Sequence, residues 1–399
     1  MKLLTTDIKN KVLDSMMRLL DENRERIIKA NKKDLELFQK EDQAMYDRLI
    51  VTDTKIGGMI QSIREVRSQE DPVNKPISSR ILDNGLEIIN KTAPFGTIMI
   101  IYESRPDVTI EAAVLAFKAS NKILLKGGKE ALHSNTILTQ LWHQALEEND
   151  LPRDYIQLMT LNRQETQEFL KNPTEKLDLI VPRGGERLIN FVKEHANCAV
   201  LVSGRGNNFL YVDTTADWEK SIKVIMNAKT DKISACNALD KILISQKIDN
   251  YEQKLTELYN LLSSNGVETW VDETVGKTLT TAKPIQNESM WKDEFLALKC
   301  CLAAVDSLTE AVSKINEHSG GHSATIMTND KGSARQFMEE VDCAAVYQNA
   351  STRFTDGGQM GVGAELAIST DKLHHRGPLG LEQLVTNKYY VFGDGQIRE

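Results

Sequence analysis

Apolar positions near the amino terminus recur at helical spacing. Leu13, Met16, Met17 and Leu20 follow the i, i+3, i+4, i+7 pattern of an amphipathic helix, and residues 1 to about 70 read as several such helices. The methionine stripe reads as a packing face. Pro72 and Pro76 interrupt the pattern, and Asn84-Gly85, set between apolar runs, marks a β-hairpin. A lone hairpin is only marginally stable, so this one is expected to pack on another element or another subunit.

From Gly96 onward, short apolar runs alternate with helical segments. Strands are expected at Thr97–Tyr102, Lys122–Leu125, Ile156–Met159, Leu177–Val181 and Ala199–Val202. Helices are expected at Pro106–Ala119, with proline in its first turn, and at Ala131–Glu148. A further strand, Phe209–Val212, follows Gly204-Arg205-Gly206. A second alternating block begins after Cys236. It has strands at Leu239–Ile244, Thr269–Val271 and near 324–327 and 344–347, an apolar run at Leu296–Val305, and helices at about 250–263 and 308–315. Strand–helix alternation implies an α/β fold with parallel sheets covered on both faces, in which ligands bind off the carboxyl ends of the strands. The expected domains are 1–230 for a cofactor and 231–360 for catalysis, with 361–399 returning to the first. A junction just before Cys236 would put its thiol at the cleft between them.

Composition narrows the class. The 399 residues are 41% hydrophobic and 27% charged, as in an ordinary soluble globular protein. The net charge of −8 argues against a general nucleic-acid binder while leaving room for a local basic pocket. No run reaches transmembrane length, and the amino terminus lacks the apolar core of a signal peptide. Five cysteines, two of them adjacent at 300 and 301, do not resemble a disulfide framework, so a reducing, cytoplasmic setting is expected.

Three strand ends carry chemistry. Tyr102-Glu-Ser-Arg-Pro106 follows the first, Lys126-Gly-Gly-Lys129 the second and Pro182-Arg-Gly-Gly185 a later one. Gly127-Gly128 and Gly184-Gly185 would let backbone N–H groups approach an anion at a helix N-terminus, with Lys126, Lys129 and Arg183 supplying charge. One such turn alone is commonly just a strand-to-helix connection. Two at successive sheet ends favour an anionic ligand such as a dinucleotide phosphate. The usual dinucleotide fingerprint is absent, since Gly204-Arg205-Gly206 lacks the third glycine and runs into a strand.

Cys236 lies among small and polar residues between a helical segment and a strand. An arbitrary cysteine is more often a small core residue. A thiol on a connecting loop is nonetheless well placed for chemistry, and nearby Lys229 and Lys232 would favour its thiolate. No histidine marks itself as its partner. The stretch from Asn349 to Glu365 is long, glycine-rich and aperiodic, as functional loops often are. Within it Ser351, Thr352 and Arg353 are candidates for holding a substrate carboxylate, the arginine by a bidentate contact, against the plainer reading of a linker. The C-terminal stretch Lys388–Glu399 reads as an exposed strand in need of a neighbour, which hints at an oligomer.

At these residues the chain resembles the gamma-glutamyl phosphate reductase (glutamate-5-semialdehyde dehydrogenase) family of the aldehyde dehydrogenase superfamily. The resemblance spans nearly the whole chain. It rests on Ile101-Tyr-Glu-Ser-Arg-Pro106, Lys126 to Asn135, Pro182-Arg-Gly-Gly185, Asn227-Ala-Lys-Thr230 with Cys236-Asn237-Ala238, Val346 to Gly358 and Lys372 to Pro378. It implies a Rossmann-type cofactor domain, a second α/β catalytic domain and a hairpin and C-terminal strand that build a homo-oligomer, a dimer or tetramer. The implied reaction is NADPH-dependent reduction of gamma-glutamyl phosphate to the semialdehyde, the second step of proline synthesis from glutamate. Cys236 would be the nucleophile, forming a thioester. Backbone N–H groups of Cys236 or Asn237, with Ser104 as a second candidate, would stabilise the oxyanion. Lys126 and the Pro182–Gly185 turn would hold NADPH, with Glu294 on the nicotinamide ribose beside Phe295, and Arg105 would join the substrate contacts. No metal is expected, and a separate glutamate 5-kinase is a candidate transient partner.

Two departures stand out. The family's Gln-Arg-Pro after Lys-Thr is Asp231-Lys232-Ile233 here, and the commonly basic position 186 is Glu. The alternatives are an oxidising semialdehyde dehydrogenase on the same scaffold and a non-catalytic nucleotide-binding homologue. Against a hydrolytic enzyme, the stretch where such dehydrogenases keep a glutamate base reads Val202-Ser203-Gly204.

Overall fold

The computed structural model describes residues 3–38 and 43–398. The chain forms two compact units, 1–202 with 361–367 and 379–399, and 203–360 with 368–378. Among the described residues no helix is long and apolar enough to cross a membrane.

The first unit opens with α1 (Thr6–Glu22), α2 (Arg24–Leu37), α3 (Gln43–Leu49) and α4 (Asp53–Ser68). Thr5 and Thr52 cap α1 and α4 by accepting backbone N–H bonds, the usual service of a hydroxyl at that position. The expected stripe of α1 is buried at Leu13, Met16 and Leu20. Two antiparallel strands follow, β1 (Pro76–Ile81) and β2 (Glu87–Pro94), joined at Gly85, whose φ of 84° is one that glycine adopts without strain. Next come β3 (Thr97–Tyr102), α5 (Val108–Lys118), β4 (Lys122–Lys126), α6 (Leu132–Glu147), β5 (Ile156–Leu158), α7 (Arg163–Lys171), β6 (Leu179–Arg183), α8 (Glu186–His195) and β7 (Ala199–Val200). The strands form one parallel sheet in the order β5-β4-β3-β6-β7. Strand order reverses at β3, so the crevice between β3 and β6 is the topological switch point. Helix α5 is apolar nearly all round and buried along its whole length, as expected of a helix enclosed on every side.

The C-terminal strand, Val385–Phe392, finds its neighbour in its own chain. It pairs antiparallel with β2, from Val385 opposite Pro94 to Phe392 opposite Glu87, and completes a three-stranded sheet with the hairpin. Among the described residues its other edge is unpaired, and Tyr389, Val391 and Phe392 are all more than half exposed. Glu399 lies outside the described residues.

The second unit contains β8 (Asn208–Val212), α9 (Trp218–Thr230), β9 (Leu239–Ser245), α10 (Tyr251–Ser264), β10 (Glu268–Val271), α11 (Glu273–Thr278), β11 (Lys283–Pro284), α12 (Ser289–Lys292), β12 (Lys299–Val305), α13 (Leu308–His318), β13 (Ser323–Met327), α14 (Lys331–Glu340) and β14 (Ala345–Gln348). These strands make a seven-stranded parallel sheet, β11-β10-β12-β9-β8-β13-β14, with an apolar core on each face. Here the expected boundaries need correction. Strand β8 pairs with β9 and β13, so it and α9 belong to the second unit, which begins at 203 rather than 231. The C-terminal return is also split, because 368–378 stays with the second unit, where Ile368–Ser369 pairs with Gly377–Pro378 and Ser203 bridges Ser369.

Candidate active site

In the second unit Cys236 lies on the turn between α9 and β9, partly exposed. Two contacts fix that turn from below. A β-carbon built on Gly206 would lie 2.6 Å from the Cys236 α-carbon, so only glycine lets the two backbones approach so closely. The Asn208 amide donates to the carbonyls of Gly206 (2.9 Å), Cys236 (2.8 Å) and Ala238 (2.7 Å). From above, the buried Asn237 amide donates to the carbonyls of Arg353 (3.2 Å) and Thr355 (3.0 Å), while Thr352 Oγ1 donates back to the Asn237 carbonyl (2.8 Å). The cysteine turn and the glycine-rich 349–358 loop are thereby one hydrogen-bonded piece. Arg353 adds an ion pair with Asp231 (3.4 Å), yet its Nη1 is buried with no hydrogen-bond partner. A buried guanidinium N–H without an acceptor is costly, and an anionic ligand would relieve that cost.

The segment Asp293-Glu294-Phe295 is held against the same region. The Phe295 N–H donates to Asp240 Oδ2 (2.9 Å), and Lys241 Nζ donates to the Asp293 carbonyl (2.8 Å) from 4.0 Å above the Phe295 ring centre. Burial first, then the Asp240 charge, pushes the Glu294 carboxyl up to about 7, against the backbone N–H of Gly206 and the cations Arg205 and Lys241. Gly206 thus touches Cys236 on one side, and on the other its N–H favours the ionised form of Glu294.

In the first unit the basic residues flank one strand end. Ile101 of β3 pairs with Lys126 and Tyr102 pairs with Arg183, which sets the two cations one residue apart on either side of the switch point. Lys126 Nζ donates to the adjacent Gly127 carbonyl (2.9 Å), and burial lowers its pKa. Gly185 is the N-cap of the ten-residue α8, with open space where a side chain would be. Its first-turn N–H groups and the flanking cations fit the anionic, hydroxyl-rich body of a dinucleotide.

An aldehyde dehydrogenase family model matches residues 1–276 and 278–365. The chain belongs to the aldehyde dehydrogenase family. Within that family it is 41% identical over 401 residues to gamma-glutamyl phosphate reductase 2 of Bacillus licheniformis, covering 100% of this chain and 94% of that one. Its structure is similar to that of the Thermotoga maritima gamma-glutamyl phosphate reductase, with a TM-score of 0.94, 40% identity and coverage of 99% and 95%. The Saccharomyces cerevisiae gamma-glutamyl phosphate reductase is more distant, at 28% identity and a TM-score of 0.52. An acetylating aldehyde dehydrogenase from Geobacillus thermoglucosidasius shares the fold at 18% identity and a TM-score of 0.67.

Several candidate residues of this aldehyde dehydrogenase-family chain have other work. Lys229 is fully buried and donates to Asp240 and the Leu239 carbonyl, so its charge is committed there rather than to the Cys236 thiol. Lys232 is exposed, with a left-handed φ of 47°. Ser104, the second oxyanion candidate, is buried, and both its N–H (2.7 Å) and its hydroxyl (2.8 Å) donate to Glu130. That carboxylate also covers Gly128, where a β-carbon would fall 2.5 Å from its carbon, and the Asn135 amide fills the space beside Gly127. The Lys126–Lys129 turn is therefore no phosphate cradle, because a carboxylate already occupies it. Lys129 is exposed and Pro182 is a buried strand residue. Ser351 and Thr352 are buried and spend their hydroxyls on the Arg353 N–H and the Asn237 carbonyl, so they shape the loop instead of facing a solute. The residues that sequence reasoning missed are Gly206, Asn208, Asp240 and Lys241. Only Gly206 carried a signal, as half of the failed Gly-x-Gly motif.

Proposed function

We propose that this chain reduces gamma-glutamyl phosphate to glutamate-5-semialdehyde with release of phosphate, the second step of proline synthesis from glutamate, using NADPH. Support comes from the full-length likeness to proteins bearing that reductase name and from the clamped, accessible Cys236. The observation that carries the reading is the fit of Gly206 and Asn208 around the Cys236 backbone, which holds one sulfur in place on an otherwise irregular turn.

The Cys236 thiolate adds to the acyl carbon of the acyl phosphate. The bond from that carbon to the phosphate oxygen breaks, phosphate leaves with the electron pair, and a thioester remains on Cys236. The Asn237 backbone N–H, which makes no hydrogen bond among the described residues, is the donor for the oxyanion. NADPH, when bound, would supply the hydride that reduces the thioester to the aldehyde, and Cys236 would then leave as thiolate. Arg183 and the Gly184-Gly185 helix start would bind its phosphates and Lys126 its ribose hydroxyls, while Glu294 would accept from the nicotinamide ribose beside Phe295. Arg353 takes an anionic oxygen of the substrate, and Arg105 lies among the substrate contacts. The exposed apolar edge of the C-terminal strand serves a homo-oligomer.

An oxidising, hydrolytic dehydrogenase is disfavoured by sterics as well as composition. A β-carbon at Gly204 would lie 2.8 Å from the Thr370 β-carbon, leaving no room for a carboxylate side chain at that position. The deciding experiment supplies glutamate-5-semialdehyde with NADP or NAD, with and without phosphate. Phosphate-dependent reduction of NADP supports the reductase; phosphate-independent turnover supports the hydrolytic reading.

A further inference from the structure

Inside the second unit, a chain of side-chain hydrogen bonds runs from a buried imidazole to the strand before the glycine-rich loop. His322, fully buried just ahead of β13, places Nδ1 2.7 Å from Ser323 Oγ. Ser323 Oγ is 2.7 Å from Thr355 Oγ1, and Thr355 Oγ1 is 2.9 Å from the Tyr347 hydroxyl on β14. Burial pushes the His322 imidazole down to about 4, so at neutral pH it is uncharged and carries one ring proton. Its Nε2 is buried with no hydrogen-bond partner.

Counting protons fixes the direction of this chain. Each hydroxyl has a single hydrogen to donate. If Tyr347 donates inward to Thr355, Thr355 to Ser323 and Ser323 to Nδ1, the ring proton must sit on Nε2, where it is buried without an acceptor. With the proton on Nδ1 every link reverses: His322 donates to Ser323, Ser323 to Thr355 and Thr355 to Tyr347. Nε2 then keeps only a bare lone pair, and no buried hydrogen is orphaned. The bonds within the chain are the same in number either way, so its ends decide. Orphaned buried N–H groups are rarer than under-satisfied acceptors, and the outward direction wins. The far end agrees with it. Burial raises the pKa of the Tyr347 phenol and keeps it protonated, and its hydroxyl points at Met360 Sδ, 3.9 Å away on an exposed side chain. A thioether is a weak acceptor, so an anionic oxygen would readily replace it.

This hydrogen belongs to the loop that clamps the cysteine turn. Thr355 accepts at its carbonyl from the Asn237 amide (3.0 Å), and Arg353, with its unpartnered Nη1, lies two residues earlier. We propose that Tyr347 donates its hydroxyl hydrogen to an anionic oxygen of the substrate that acylates Cys236, and that His322, Ser323 and Thr355 are positioning residues that keep this hydrogen turned outward. The substrate rests on the reductase reading. Its phosphate and its carboxylate offer the same acceptor chemistry, and kinetics separates them.

Two measurements on the full-length protein test the assignment. Proton–nitrogen NMR of protein with isotope-labelled histidine, with the His322 signals identified by their loss in His322→Asn, should place the ring proton on Nδ1. A proton on Nε2 would overturn the proposal. In phosphate-dependent oxidation of glutamate-5-semialdehyde, phosphate and aldehyde are separate substrates. Tyr347→Phe should raise KM for one of them about tenfold, with kcat and the KM for NADP changed less than about twofold. A rise for phosphate assigns the contact to the phosphate oxygens, and a rise for the semialdehyde assigns it to the carboxylate. His322→Leu should raise the same KM, and His322→Asn, whose amide can donate from near the Nδ1 position, should restore most of it. Unchanged KM values in Tyr347→Phe would overturn the proposal, as would His322→Asn and His322→Leu variants that behave alike. If the unmodified protein shows no phosphate-dependent turnover, the reductase reading fails and the substrate contact with it, whereas a ring proton on Nδ1 would still establish the outward chain.

Discussion

Gly206 and Cys236 touch backbone to backbone: a β-carbon on Gly206 would come within 2.6 Å of the Cys236 α-carbon and overlap its carbonyl. The position of Cys236, the nucleophile of the proposed reaction, is thus set by a residue thirty places earlier in the chain that contributes no side chain. Gly206→Ala should shift the cysteine turn and destabilise the protein by about 1–3 kcal/mol, the usual range for overpacking. Urea denaturation reads the stability, and the rate of iodoacetamide labelling at Cys236 reads the displacement. An unchanged labelling rate would contradict the clamp.

Gly185 makes the opposite case. Its φ of −68° suits any residue, and a β-carbon there meets open space. Gly185→Ala should therefore leave stability unchanged within about 0.5 kcal/mol. If cofactor phosphates lie against that helix start, the added methyl should raise KM for NADPH about tenfold, a cost near 1.4 kcal/mol. An unaltered KM would move the cofactor away from α8.

The Glu294 carboxyl, pushed up to about 7 from an ordinary 4.5, makes a signed contribution to stability. Between those values the folded protein binds more protons at this group than the unfolded chain. Its contribution to stability is fully present below about 4.5 and is lost as pH rises through about 7. Glu294→Gln should flatten the fall in unfolding free energy across that window. Asp240 adds to the shift by its charge, so Asp240→Asn should move the Glu294 titration to lower pH, as carboxyl-labelled NMR would detect.

Arg353 has a buried Nη1 without an acceptor. If a substrate oxygen completes it, Arg353→Lys loses the fork that reaches both Asp231 and the ligand. KM for gamma-glutamyl phosphate should rise about tenfold to a hundredfold, the worth of one charged hydrogen bond, with kcat reduced less. An equal loss in kcat and no change in KM would place Arg353 outside the binding contacts.

Much of the scaffold was legible because buried parallel strands read as apolar runs. Thr97–Tyr102 matches β3, and Leu239–Ile244 falls one residue short of β9. The run expected from Leu296 begins only at Lys299, since Leu296 is exposed with a left-handed φ of 49°. What sequence could not reach was non-local pairing. Strand β8 follows the first sheet in order but joins the second, and the C-terminal strand closes on β2 from almost three hundred residues away. The site divides in the same way. Cys236 stood out by its setting, whereas Asn208, Asp240 and Lys241 act through backbone carbonyls and N–H groups that no spacing rule reveals. Ser104, Ser351 and Thr352 looked chemical by type, and the fold had already used their hydroxyls.

The proposed chemistry puts a glutamyl thioester on one sulfur. Glutamate-5-semialdehyde and NADP without phosphate should load the protein with a single glutamyl group, which peptide mass spectrometry should place on Cys236 and which added phosphate should discharge. Cys236→Ser should show no adduct and lose turnover by a factor on the order of a thousand or more. An adduct on another residue, or steady turnover by Cys236→Ser, would rule out a Cys236 thioester.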